Sequence, residues 1–254
     1  MLNKLPVVEI FGPTIQGEGD MCGKQTSFIR LGGCDYRCVM CDSLHAVIPQ
    51  QWKKNATMMT ENEAADAVIA KSGFAKWVTV SGGNPLMHEL NTFIEHLHGC
   101  GMKVAVETQG TLWKDWIMKC DLITLSPKGP GMGEHTDMNE FAEYMKRIHN
   151  IKTDYPVYTA RVCVKVVIFG PDDIEFAKEI QKIIQPYGVT LYLSLGNTRP
   201  PNNPDASDSS QDLRLELMNR YKAICDLLYI EEALAGAVFL PQLHVLAYGN
   251  DLGR

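Results

Sequence analysis

What this chain lacks narrows it before any motif does. No apolar run approaches the roughly 20 residues that a membrane-spanning helix needs, which excludes a helical membrane protein. Lys and Arg gather into no long run and the formal net charge is -6, so there is no basic surface for nucleic acid and a small-molecule substrate is expected. No secretory signal pattern accompanies the eight cysteines, and a reducing, cytoplasmic setting without disulfides follows. There is no internal repeat and no separate linker. With 254 residues, 45% of them hydrophobic, residues 1–254 are expected to form one domain.

What is present is uneven. Cys34, Cys38 and Cys41 form a C-x-x-x-C-x-x-C cluster, whereas Cys22, Cys100, Cys120, Cys163 and Cys225 are scattered singly and read as small core hydrophobes. Three close thiolates can hold three irons of a cubane and leave the fourth iron open to a small molecule. A structural zinc would need a fourth ligand at short spacing; no second C-x-x-C follows, and His45 is the only nearby candidate. A non-catalytic iron-sulfur or zinc module stays open as the alternative.

Short β-rich runs alternate with amphipathic helical stretches, the pattern of parallel strands joined by crossover helices. Strands are expected at residues 7–10, 27–31, 77–80, 103–107, 121–125, 162–169, 190–194 and 237–240. Thr60 and Glu63 have the spacing of a capping box at the start of one helix. In the next, Leu90, Phe93, Ile94 and Leu97 recur at helical spacing; a third runs from about Asp172 to Gln185, and a last begins near Gln211. The polar, Pro-rich stretch of about 196–211 reads as a surface insertion, with a lid as the second reading. Residues 52–59 match no recognisable pattern.

The unusual residues fall after strands: Gln16-Gly-Glu-Gly19 after the first, Gly32-Gly-Cys34 after the second, Ser81-Gly-Gly-Asn-Pro85 after the third, Glu107-Thr-Gln-Gly110 after the fourth and Ser126-Pro-Lys128 after the fifth. In α/β barrels this is where chemistry gathers. Arg30, at a strand end four residues before Cys34, can clamp a carboxylate with two parallel bonds. Each feature alone has a plain structural reading: a turn, a loop cap or a solvated strand end.

Together they resemble the 7-carboxy-7-deazaguanine synthases, radical S-adenosylmethionine (SAM) enzymes of deazapurine biosynthesis on the queuosine route. The resemblance implies a partial (β/α)6 TIM-like barrel with an N-terminal strand and a C-terminal extension. It also implies a magnesium-dependent carbon-nitrogen lyase that converts 6-carboxy-5,6,7,8-tetrahydropterin to 7-carboxy-7-deazaguanine with release of ammonia. A homodimer and a flavodoxin-type electron donor are implied as well. Residue by residue, Cys34, Cys38 and Cys41 would hold a [4Fe-4S] cluster and Ser43 would ligate Mg²⁺. Met40, Asp42, Gly83, Ser126 and Lys128 fall where the family lines SAM. Ile15, Gln16, Gly17, Arg30 and Ser81 fall where it holds the pterin. Glu18, Asn84, Gln109 and His244 are further polar candidates. Two departures stand out: Met40 replaces the usual aromatic before the third cysteine, and Asn84 replaces the Glu of Gly-Gly-Glu-Pro, leaving backbone binding through Gly83. The rival within the superfamily is a glycyl-radical activating enzyme.

Overall fold

The computed structural model describes residues 4–201, 210–251 and 253. In chain order its elements are β1 (Lys4–Ile15), β2 (Gln25–Leu31), α1 (Leu44–Val47), α2 (Pro49–Asn55), β3 (Thr57–Thr60), α3 (Glu61–Lys71), β4 (Trp77–Gly82), α4 (Asn91–Gly99) and β5 (Lys103–Thr108). They continue with β6 (Leu122–Leu125), α5 (Met138–Asp154), β7 (Arg161–Ile168), α6 (Pro171–Ile184), β8 (Thr190–Leu195), α7 (Ser210–Leu228), β9 (Val238–Leu240) and α8 (Leu243–Tyr248). Among the described residues, no helix is long and apolar enough to cross a membrane.

The strands form one sheet in the order β3-β1-β2-β4-β5-β6-β7-β8-β9. From β2 to β9 all neighbours are parallel, and β1 and β3 extend the β2 edge antiparallel. Six of the parallel strands, β2 and β4 to β8, are the expected partial barrel, with β1 as the N-terminal strand and α7, β9 and α8 as the C-terminal extension. Strand alternation sorts the two faces. Val78, Val80, Val104, Val106, Ile123, Leu125, Val164, Val166 and Ile168 point outward into one core with Phe93, Ile94 and Leu97 of α4, Phe141, Met145 and Ile148 of α5, and Ile174, Ala177 and Ile180 of α6. Each of the larger of these side chains contributes about 1.5–3 kcal/mol on burial. The alternate positions, among them Thr79, Ala105, Thr124, Cys163 and Lys165, face the barrel interior and are smaller or polar. There Met21 plugs one end against Ala105, Leu122 and Cys163.

Two expectations need correction, and two segments without a pattern find a place. β1 runs antiparallel to β2, with Ile15 opposite Gln25, so Gln16-Gly-Glu-Gly19 leaves β1 at the N-terminal end of the parallel strands rather than with the other loops. Residues 52–59 belong to the end of α2 and to β3, whose four residues pair with β1. Cys100 is exposed where the chain turns from α4 to β5, whereas Cys120 and Cys163 are buried and Cys22 and Cys225 half-buried. Of the 196–211 stretch, Asn197 is buried and bonded to Asn250, and the Gly196 carbonyl accepts from Arg220. Residues 202–209 lie outside the described residues.

Candidate active site

The cysteine loop, residues 32–43, contains neither helix nor strand and takes its shape from its neighbours. The Asn84 amide donates to the Gly33 carbonyl at 2.7 Å and the Gly83 amide to Leu31 at 3.0 Å, while on the other flank the Val39 amide donates to Met132 at 2.9 Å. The approach of the two glycine loops is so close that a Cβ at Gly83 would overlap the Gly33 carbonyl. Backbone amides of Tyr36 and Ser43 face the sulfurs of Cys34 and Cys41, each at 3.4 Å. Burial nevertheless pushes the thiols up, Cys38 to about 11 and Cys41 to about 12, so three thiolates here require a cationic partner.

Cys34, Cys38 and Cys41 line one cavity. Three thiols in one lining are the donor set of a cubane that keeps its fourth iron open.

The cavity is open to solvent at its mouth. The cysteines, Met40, Asp42 and Ser43 stand on one wall with Gly83, Gln109, Ser126 and Lys128; Ile15, Gln16, Gly17, Glu18 and His244 stand opposite, with Arg30 and Ser81 between. Arg30 lies in a chain of polar contacts: its Nε donates to Glu9 at 2.5 Å, its Nη1 to the Ser43 hydroxyl at 2.7 Å, and that hydroxyl donates to Asp42 at 2.7 Å. His45 meets the same Glu9 oxygen at 3.1 Å. Lys128 Nζ donates to the Ser126 hydroxyl at 2.9 Å.

The opposite wall is tied to the barrel floor. Gln16 donates to Glu107 of β5 at 2.8 Å, and Glu18 accepts from Lys165 of β7 at 2.8 Å and from Gln242 at 3.1 Å. Burial acts to raise the Glu18 pKa, but Lys165 and His244 outweigh it and hold the carboxyl at about 2. Lys165 is likewise held above the ordinary lysine range: burial opposes its charge, and Glu107 and Glu18 overcome that.

No family model matches the chain. Along its full length it is 37% identical to the 7-carboxy-7-deazaguanine synthase of Bacillus subtilis, covering 100% of both chains. With that of Bacillus cereus it shares 35% identity over 99% of this chain and 100% of the relative. The chain belongs to the 7-carboxy-7-deazaguanine synthase family. It is a radical SAM lyase, and the activase and scaffold alternatives are not favoured. Solved structures agree on the fold: QueE from Escherichia coli superposes with a TM-score of 0.59 at 20% identity, covering 95% of each chain. Streptococcus suis SuiB bound to the precursor peptide SuiA gives a TM-score of 0.55 at 12% identity, over 84% of this chain and 48% of that one.

Among the candidate site residues, Asn84 is the one that does not line the cavity. It is fully buried, and its side chain is consumed by Thr108, Leu86 and Asp35. The reading from sequence also passed over Lys165, Glu107 as a side chain in its own right, Gln242, Asn197 and the stacked pair Phe11 and Phe28, whose rings lie 5.0 Å apart. For Lys165 the signal was there: one cation within Val-Cys-Val-Lys-Val-Val-Ile, at a position facing the barrel interior.

Proposed function

We propose that this enzyme converts 6-carboxy-5,6,7,8-tetrahydropterin to 7-carboxy-7-deazaguanine with loss of ammonia, using a [4Fe-4S] cluster, SAM and Mg²⁺. The observation that carries the reading is the single cavity with a cysteine-lined wall on one side and a polar, glycine-bearing loop on the other, joined by Arg30. When bound, the cluster and SAM supply a reducing electron and a 5'-deoxyadenosyl radical able to take hydrogen from the substrate.

The chain's own residues bind and orient. Cys34, Cys38 and Cys41 would hold the cluster, and the main chain at Gly83 together with Met40, Asp42, Ser126 and Lys128 would hold SAM beside it. Arg30 turns from its internal partners to clamp the pterin carboxylate, and Ile15, Gln16, Gly17 and Ser81 read the edge of the flat ring, with Glu18 and His244 behind them. The Ser43 hydroxyl donates one bond and accepts one, which leaves a lone pair for Mg²⁺, a cation that keeps most of its water. The floor of Phe11, Phe28 and the Glu18–Lys165 pair excludes bulk water from the rearranging ring. By the same resemblance a flavodoxin-type protein delivers the electron and the working form is a cytoplasmic homodimer.

The test is turnover of the carboxypterin by anaerobically reconstituted protein with SAM, dithionite and Mg²⁺. Formation of 7-carboxy-7-deazaguanine is expected, with Arg30→Ala weakening the pterin far more than SAM and Ser43→Ala blunting the Mg²⁺ response. SAM cleavage without any deazaguanine product would assign the chain to a different radical reaction.

A further inference from the structure

An irregular loop that must present three sulfurs in fixed positions needs a frame outside itself. Within residues 32–43 Tyr36 reaches the His135 carbonyl and Ser43 meets Arg30, but the side chain that ties the loop to two others beside the first cysteine is Asp35, next to Cys34. Asp35 is exposed, yet both of its oxygens are engaged by side chains of other loops. Oδ1 accepts from Asn84 Nδ2 at 2.8 Å and from Gln109 Nε2 at 2.6 Å; Oδ2 accepts from Thr111 Oγ1 at 2.5 Å. One carboxylate thereby joins the loops after β2, β4 and β5, and Gln109 Nε2 also lies 3.5 Å from the Cys34 sulfur.

The direction of these bonds is fixed by chemistry. The Leu86 amide can only donate, and it donates to Asn84 Oδ1 at 3.2 Å, as the Thr108 hydroxyl does at 2.9 Å. Asn84 must therefore present its amino group to residue 35, and only an acceptor fits there. An acid at position 84, as in the Gly-Gly-Glu-Pro pattern, would set two carboxylates face to face. Asn84 and Asp35 are thus one unit, with the negative charge carried on the cysteine loop instead of on the glycine loop.

We infer that Asp35 is the positioning residue that seats the cysteine loop on the barrel through Asn84, Gln109 and Thr111. The inference rests on the reading of the cysteines as cluster ligands only in its effect on cofactor; the seating itself exists without cluster. Removing the acceptor tests it. Asp35→Ala leaves the donors of Asn84, Gln109 and Thr111 without it. Asp35→Asn is the conservative control: its side-chain oxygen can still accept from Asn84 and Gln109 while its amide donates to the Thr111 hydroxyl, which also accepts.

In the cluster-free chain, tryptic cleavage after Arg37, followed by mass spectrometry, should run about tenfold faster in Asp35→Ala and stay near the parent rate in Asp35→Asn. Thr111→Val, which removes a single donor, should give a smaller rise and serves if Asp35→Ala folds poorly by circular dichroism. After reconstitution with iron and sulfide, the change that SAM induces in the electron paramagnetic resonance spectrum of the reduced protein should need about tenfold more SAM in Asp35→Ala and little more than the parent in Asp35→Asn. Cleavage unchanged by Asp35→Ala, an Asp35→Asn variant no better than Asp35→Ala, or an unaltered SAM response would each overturn the inference. A parent chain that takes up no iron and sulfide would instead refute the cluster reading and leave the cleavage result standing.

Discussion

Lys165 is the residue on which the floor of the site depends. It is a cation in the middle of a strand that is otherwise apolar, and its ammonium and the Glu18 carboxylate are both almost wholly out of water. Removing one member of a buried pair leaves the other charge without compensation, at a cost of about 3–5 kcal/mol, whereas removing both is much closer to neutral. Lys165→Met should therefore lower the unfolding free energy in urea by about 3–5 kcal/mol, and adding Glu18→Gln should recover most of it. The pH dependence has a definite sign. Glu18 is held at about 2 in the folded chain against 4.5 for the free group, so its contribution is complete above pH 4.5 and disappears as the pH falls toward 2. The difference between parent and Lys165→Met should shrink over that window; a constant difference would mean that Glu18 is not the partner that matters. The same residues show why reading the sequence reached Gln16, Glu18 and Arg30 but not Lys165. A motif announces residues that stand together in sequence, while Lys165 meets Glu18 across 147 positions, and only the folded barrel brings them together.

At the scale of elements, what was legible was what is local. The capping box at Thr60 is present with both bonds, Thr60 Oγ1 accepting from the Glu63 amide at 3.3 Å and Glu63 accepting from the Thr60 amide at 2.7 Å. The helical spacing of Ile174, Ala177, Ile180 and Ile184 matches the buried stripe of α6. β3 went unseen because four residues, two of them exposed, carry too short an alternation to signal a strand; its pairing with β1 is what makes it one. Helix α6 also shows how an element can hold the site from a distance. Asp173, in its first turn and buried, accepts from the amides of Phe169 at 2.8 Å, Gly170 at 3.3 Å and Gly131 at 2.8 Å. It thereby pins the loop after β7 and the turn after Lys128 to one helix end, where a negative charge is also favoured by the helix dipole. Asp173→Ala leaves these donors unpaired and should cost roughly 3 kcal/mol in chemical denaturation. A loss under about 1 kcal/mol would show that water replaces the carboxylate.

At the scale of the molecule, the sheet has two edges, β3 and β9, and the site exists only because the chain brings the two sides of the barrel together across the gap. The residues after β1 do this. The Leu243 amide, at the start of α8, donates to the Gly17 carbonyl at 3.0 Å, and Gln242 reaches Glu18. Gly17 is thus placed between the N-terminal strand and the C-terminal extension, and a Cβ there would overlap the His244 ring and stand 2.7 Å from the His244 backbone nitrogen. Neither side yields freely, since one is a packed imidazole and the other a helix backbone. Gly17→Ala should then cost about 1–3 kcal/mol of stability through overpacking. Adding His244→Ala frees the space of the ring but not that of the backbone, so it should return only part of the loss. Full recovery in the double variant would place the whole conflict on the imidazole, and no loss in the single variant would mean that the two halves of the barrel are not held together at this point. Either result is read directly from urea unfolding of the cluster-free chain, and the partial recovery expected here is what distinguishes a closed seam from a single crowded side chain.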